Sequence, residues 1–450
     1  MAERFDTYHA AIGWLTRSTD YERMRRVRYN ADTFSLDRVA RLAAAVGNPE
    51  RRFRSVHVAG TKGKGSTAAM IEAILRGHGL RTGLFTSPHL VDLRERVQID
   101  RRWIGEDAMR CALGQVADAR DSRLQDESPT FFELLTAAAF LCFAGAQVDV
   151  AVVEVGLGGR LDSTNIIVPK VSVITRVSID HVHQLGPDLA GIAREKAGII
   201  KAGVPLVLAP QTPEAEAAID QAARDADTPV IRLGNDVRVE WRKDFQAARP
   251  ASRVTVHTPR AAYDDLLIPL AGRVQGTNAA CAIAAAEAVL GNRVDVGRVR
   301  NALAALDWPG RMQVFPGQPT VILDGAHNAE SLRHLLVAAA EYYPNRRTVI
   351  VFACAADKDI DGMVRVLADD EVPVVFTRTD NPRAADPAEL ADVLRSAGGT
   401  VLGAWADPVE ALRSSRDSAG PQGVVVVCGS LYLVGAVLEC PDRFRLLVRE

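Results

Sequence analysis

Residues Val56–Thr67 read VHVAGTKGKGST and run on into AAMIEAILRGHG. Val56, Val58 and Ala59 form a short apolar run after the basic stretch Arg51–Arg54, which predicts a buried strand. From Ala68 onward apolar residues recur at helical spacing up to a stop at Gly77 or Gly79, which predicts a helix. A glycine-rich loop therefore sits between a strand and a helix N-terminus, the context that turns a glycine pattern into a phosphate-binding loop. Gly60, Gly63 and Gly65 let backbone N–H groups curl inward around a phosphate. The helix start adds partial positive charge and Lys64 a full one. Thr61 and Lys62 complete the loop, and Ser66 or Thr67 offers a hydroxyl to a magnesium ion. The spacing departs from GxxxxGK[ST], because Gly65 separates Lys64 from Ser66. A ligand-free turn would explain the glycines but not the two lysines beside them.

A chain of 450 residues exceeds one typical core, so two domains are expected. Hydrophobic residues at 48% and charged residues at 24% are ordinary for a globular protein. A net charge of −2 suggests no nucleic-acid partner. Cys111, Cys142, Cys281, Cys354, Cys428 and Cys440 are scattered with no CxxC pair. They read as reduced thiols of a cytoplasmic protein rather than a disulfide framework or zinc site. The start, MAERFDTYHA, is charged and has no apolar signal core. The run Val424–Leu438 is shorter than the ~18 residues a membrane span needs. It reads as a buried strand turning into a helix. A monomer is the default expectation.

Before the loop, YHAAIGWL and LDRVARLAAAVG carry helical periodicity. After it, Leu84 and Phe85 make a second short strand, ending in Thr86-Ser87-Pro88-His89. Ligands bind at that end of open parallel strands. Ser87 suits a hydroxyl contact to metal or phosphate and His89 a substrate contact, although Ser-Pro is also simply a turn. SPTFFELLTAAAFLCFAGA predicts a buried helix, in which Glu133 either answers the helix N-terminus or points into a site. Val150–Val155 is apolar except for Glu154, which marks a central parallel strand with a carboxylate near its C-terminal end. Such a carboxylate needs a cation or a salt bridge, and magnesium beside phosphates suits its oxygens. A loop of Gly156, Gly158 and Gly159 follows, ending in Arg160, Asp162 and Asn165. Val171–Thr175 is a further strand, then Asp180-His181 lies in a loop. Magnesium rarely takes nitrogen, so chemistry alone does not make His181 a ligand. Lys196, next to Ala197, Ile199 and Ile200, is either a reactive desolvated lysine or a surface one with a buried stem.

Residues 230–270 predict an antiparallel excursion, and a helix begins near Gln275 and Asn278. Pro309-Gly310 marks a domain boundary. The first domain spans 1–310 and the second 311–450. In the second, four apolar strands alternate with helices, which implies a parallel α/β sheet. Its strands end in Asp324-Gly325-Ala326-His327-Asn328, Asp357-Lys358-Asp359, Arg378 with Asn381-Pro382-Arg383, and Gly429-Ser430. These make a ligand-facing edge expected to close over the first sheet.

The motifs HVAGTKGKGST, FTSPHL with ERV, TFFELLTAAAF, VVEVGLGGRLDSTN, ITRVSIDHVHQLG, IAREKAGIIK, WPGRM, ILDGAHN, DKD, NPR and GSLYLVG stand in this order between about residues 56 and 435. The chain thereby resembles the folylpolyglutamate synthase and dihydrofolate synthase family of the Mur ligase superfamily. The resemblance implies a P-loop parallel-sheet ATPase domain followed by a smaller Rossmann-like α/β domain. It implies ATP-dependent ligation of L-glutamate to folate or dihydropteroate through an acyl phosphate. By resemblance, Gly60 to Thr67 cradle ATP, with Lys64 catalytic, and Asn278 and Arg311 contact the nucleotide. Ser87, Glu154 and His181 match magnesium ligands. Lys196 matches a carbamylated lysine that helps hold a second magnesium ion. Asp324 and His327 flank nucleotide and incoming amino acid. Phe131, Phe132 and the loop after Ser87 are where a pterin is expected, with Asp162 and Ser430 also toward substrate. Three positions depart from the family pattern: Lys62 where many members have Asn, Val274 in place of a usual His, and Gln313 in place of an acidic residue.

Two other readings remain at this point. A cell-wall Mur ligase acting on a UDP-sugar peptide calls for a further N-terminal domain, and only about 55 residues precede the loop. A non-catalytic ATP-binding regulator would be expected to have lost Lys64, Glu154, His181 or Lys196.

Overall fold

The computed structural model describes residues 4–24, 29–30, 33–124, 127–180, 182–247, 249–291 and 294–439. The eight-stranded sheet is built from β1 (Arg54–Ala59), β2 (Thr82–Phe85), β3 (Val97–Ile99), β4 (Arg102–Trp103), β5 (Val150–Glu154), β6 (Val171–Ile174), β7 (Leu206–Leu208) and β8 (Val230–Arg232). Its order is β4-β3-β2-β5-β1-β6-β7-β8. β3 and β4 are antiparallel to their neighbours, and the other pairs are parallel. β1 and β5 lie side by side at the centre, in register from Arg54–Val150 to Val58–Glu154. Every residue of β5 is buried, as a strand covered on both faces requires.

The antiparallel excursion is a three-stranded sheet, β11-β10-β9, of β9 (Arg238–Gln246), β10 (Arg249–His257) and β11 (Ala262–Ile268). Its buried face joins the core of the first domain through Val254, Val256, Tyr263 and Leu266, and it also touches the second domain, where Tyr342 Oη donates to Ala251 O at 2.5 Å and Lys243 Nζ to Glu341 O at 2.9 Å.

The last sheet has six strands rather than the expected four. They are β12 (Gln313–Phe315), β13 (Thr320–Leu323), β14 (Thr348–Phe352), β15 (Val374–Phe376), β16 (Val401–Ala404) and β17 (Val424–Cys428). The order is β12-β13-β17-β14-β15-β16, with β12 antiparallel to β13 and the rest parallel. The two unforeseen strands are the edges, half-buried and short, so they lack the apolar run that marks a central strand. Both large sheets turn their C-terminal strand ends toward one cleft. The loops after β1, β2, β5 and β6 meet those after β13, β14, β15 and β17 around a cavity of about 290 Å³.

Candidate active site

The phosphate loop leaves β1 and opens the Lys64–Gly77 helix, with Gly63 as its cap at φ +86°. A Cβ at Gly63 would overlap Asn278 Oδ1, and one at Gly60 (φ +145°) would overlap Thr175 Oγ1. Gly65, the residue that breaks the usual spacing, has the Trp308 ring where its Cβ would be, with Cζ2 3.0 Å away. The loop is stitched to the segment after β6. Thr61 N and Lys62 N donate to Arg176 O at 2.9 and 3.1 Å, and Thr61 Oγ1 donates to Ser178 O at 3.0 Å.

Glu154 ends β5 beneath the loop and is 4% exposed. Its Oε2 accepts from Ser87 N at 3.1 Å. Burial raises its pKa, and Lys64 partly offsets this. Lys196 is 5% exposed on the Leu189–Ala197 helix, and its Nζ donates to Gly60 O at 2.9 Å. Burial, then the charge of Lys64, pushes the amine down to about 7. Much of it is therefore neutral and nucleophilic near neutral pH. The Ser87 hydroxyl and Glu154 carboxylate are hard oxygen donors of the kind magnesium takes, and a cation there would relieve a buried carboxylate. The donor types therefore fit. His181 lies outside the described residues, and among these no three His, Cys, Asp or Glu side chains cluster for a metal.

Across the cleft, Arg311, His327, Lys358, Arg383 and Ser430 line the cavity. His327 Nδ1 lies 2.8 Å from Gly325 O, so that nitrogen carries a proton and donates it. Burial, with Lys62 and Lys358 nearby, pushes the imidazole down to about 4. A neutral ring with Nδ1 protonated carries its lone pair on Nε2, which stands 3.4 Å from Asp180 Oδ2. Asp180, from the first domain, reaches between Lys62, Lys358 and Asn328. The segment Asp20–Glu22 also borders the cavity. Buried Arg96 grips Glu22 with two hydrogen bonds at 2.8 and 2.7 Å, and Arg383 Nη1 donates to Glu22 O at 2.6 Å.

Residues 58–286 match the model of the Mur ligase middle domain, and residues 310–431 that of the Mur ligase glutamate ligase domain. The chain is 35% identical to the Bacillus subtilis dihydrofolate synthase/folylpolyglutamate synthase, over 89% of this chain and 94% of that protein. It is 34% identical to the Escherichia coli dihydrofolate synthase/folylpolyglutamate synthase, over 91% and 92%. The chain belongs to the folylpolyglutamate synthase/dihydrofolate synthase family. Its fold matches the Mycobacterium tuberculosis folylpolyglutamate synthase complexed with ADP and AMPPCP, with TM-score 0.86, 33% identity and coverage of 96% and 98%. It also matches the E. coli enzyme in complex with DHPP and ADP, with TM-score 0.84, 28% identity and coverage of 99% and 100%. As a member of this folylpolyglutamate synthase/dihydrofolate synthase family it is an ATP-dependent ligase.

Within this family member, the cavity wall includes Gly60, Thr61, Gly63, Lys64, Gly65 and Ser66 from the loop. Ser87, Phe132, Glu154, Asp162 and Lys196 join them from the first domain, and Arg311, His327 and Ser430 from the second. Other expected residues stand behind that wall. Thr67 is fully buried, and its hydroxyl has no partner among the described residues. Asn278 backs Gly63, with its Nδ2 donating to Gln275 Oε1 at 3.0 Å. His89 Nδ1 accepts from Arg96 Nε at 2.8 Å. Phe131 is in the hydrophobic core under the Arg96 guanidinium, 5.5 Å from its ring centre. Both Asp324 oxygens are taken, by Met312 N and Ala326 N at 2.7 Å each, so this carboxylate ties the interdomain linker to the end of β13. Asp162 faces the cavity, yet its oxygens accept from Leu157 N at 2.8 Å and Thr164 N at 3.0 Å. Gln313 Oε1 accepts from Gly310 N at 3.1 Å. Sequence reading missed the roles of Asp180, Glu22 and Trp308. Asp180 and Trp308 each gave a signal, standing in the quoted motifs ITRVSIDHVHQLG and WPGRM, whereas Glu22 stands in none.

Proposed function

We propose that this chain joins L-glutamate to the carboxylate of a folate and of dihydropteroate, converting ATP to ADP and phosphate. The observation that carries this is the two-sided cavity. A phosphate loop with Glu154, Ser87 and Lys196 forms one wall, and His327, Arg311 and Ser430 form the other. The acceptor carboxylate attacks the γ-phosphorus, ADP leaves, and an acyl phosphate forms. The glutamate amine then attacks the acyl carbon, and phosphate leaves as the amide forms. Lys64 and the loop N–H groups spread the charge that develops on the phosphoryl oxygens. Ser87 and Glu154, with His181 by resemblance, would hold magnesium, whose bound form polarises those oxygens. Lys196, once carbamylated, would help hold a second ion. Arg311 reaches the nucleotide from the linker. His327 presents Nε2, where it can accept a hydrogen bond from the incoming amine. Phe132, half-buried at the wall, offers a face for the pterin ring.

Lys196 is read as the carbamylated lysine of this superfamily: its neutral amine adds to carbon dioxide and releases a proton. The domain boundary is placed at Gly310–Arg311, the enzyme acts as a cytoplasmic monomer, and neither nucleic acid nor a membrane takes part. The test is ADP release by purified protein with ATP, magnesium and glutamate, supplying dihydropteroate and tetrahydrofolate separately. Release with both acceptors is expected. Release with one alone assigns a single activity, and release with neither overturns the folate reading.

A further inference from the structure

Lys62 belongs to the phosphate loop, yet it does not line the cavity. Its ammonium pairs with Asp180 Oδ2 at 3.1 Å, at 19% and 6% side-chain exposure. The same oxygen accepts from Asn328 Nδ2 at 2.9 Å, and Oδ1 accepts from Lys358 Nζ at 2.9 Å. His327 Nε2 stands 3.4 Å away. One carboxylate of the first domain thus collects two donors from two loops of the second, while paired to the phosphate loop of its own. A neighbouring contact repeats the pattern. Arg176, whose carbonyl holds the phosphate loop, pairs with Glu330 in the first turn of the Ala329–Tyr342 helix at 3.1 Å.

We infer that Asp180 is a positioning residue that latches the two domains shut, with Lys62 and Lys358 as its cations. Two lysines confined beside one another repel, and the intervening carboxylate turns that repulsion into attraction across the cleft. When the domains part, Asp180 and Lys62 stay together while Lys358 is left without its anion. Closure is therefore favoured only while Asp180 is aimed across the cleft at Asn328 and Lys358. A phosphate loop fixed through Arg176, Ser178 and Lys62 also holds the Asp180 segment in the geometry that the second domain recognises. Resting on the ligase reading above, closure shields the acyl phosphate, which water would otherwise split to carboxylate and inorganic phosphate.

The test is the stoichiometry of ADP released to amide formed, in Asp180→Asn, Lys358→Met and Lys62→Asn. The wild type should give a ratio near one. Asp180→Asn should raise it at least about threefold and raise KM for glutamate about tenfold, with KM for ATP little changed. Lys358→Met should act in the same direction, and the double variant should be no worse than either single one. Lys62→Asn should give a smaller rise, because it loosens the aim of Asp180 while leaving its pair with Lys358 across the cleft. A merely structural role would lower kcat without uncoupling ADP from amide. A ratio of one with unchanged KM for glutamate in Asp180→Asn overturns the latch. If that variant does not fold, a ratio of one in both Lys358→Met and Lys62→Asn overturns it instead. Failure of the wild type to form any amide would instead overturn the ligase reading.

Discussion

The Lys196 ammonium lies 2.9 Å from the carbonyl oxygen of Gly60, so the lysine and the phosphate loop share one hydrogen bond. Lys196→Ala removes both the loop's support and the amine, and kcat should fall at least about a hundredfold. With its pKa lowered to about 7, the amine is neutral above that value and protonated below it. Carbamate should therefore build up as pH rises through 7. Carbon-13 spectra of the wild type in labelled bicarbonate should show the signal strengthening from about pH 6 to about pH 8. A signal that persists in Lys196→Ala would place the carbamate elsewhere.

Glu154 is buried with one backbone donor, and burial raises its pKa. Glu154→Gln should lower kcat/KM at least about a hundredfold. Without magnesium the same variant should melt no lower than the wild type, because it removes a costly buried charge. Thermal unfolding with and without magnesium checks this, since only the wild type should gain stability from the ion.

His57 is fully buried on β1, with Nε2 2.9 Å from Thr164 Oγ1. Burial, with Lys201 nearby, pushes its pKa from 6.5 to about 3. Between those values the unfolded chain binds a proton that the folded chain does not. Stability is whole above pH 6.5 and is lost as pH falls toward 3, by up to about 5 kcal/mol. Urea midpoints at pH 7 and pH 4 should converge in His57→Gln and diverge in the wild type.

Glu133 caps its own helix through Thr130 and accepts two hydrogen bonds from Arg38, at 2.7 and 2.6 Å. Glu133→Ala strands a largely buried guanidinium and should cost about 3 kcal/mol. Denaturant unfolding measures this, and a loss below about 1 kcal/mol would mean that the pair is not a clasp between the two helices.

The central strands were legible because burial on both faces leaves an apolar run, as in Val150–Glu154 and Val424–Cys428. The edges β12 and β16, with one side open, carry no such run. Glu133 was legible in principle, since Thr130-Phe131-Phe132-Glu133 has the spacing of a capping box. Phe131 and Phe132 were not separable by pattern: neighbours on a helix point about 100° apart, and which one meets the cavity depends on what packs around them. The Asp180 cluster was beyond reach, because its partners lie 118, 148 and 178 residues away. Chain periodicity carries no information on encounters of that range.

The Ala329–Tyr342 helix touches the first domain at its start, through Asn328 and Glu330, and the β9–β11 sheet at its end, through Tyr342. Fourteen residues make it ~21 Å long. With the Tyr342–Ala251 contact as fulcrum, the helix is a lever arm. A swing of about 10° there would carry its N-terminal end ~4 Å, enough to part Asn328 from Asp180 and Glu330 from Arg176 while leaving the far end seated. A small rotation at that three-stranded sheet would thus be magnified where the helix start meets Asp180 and Arg176.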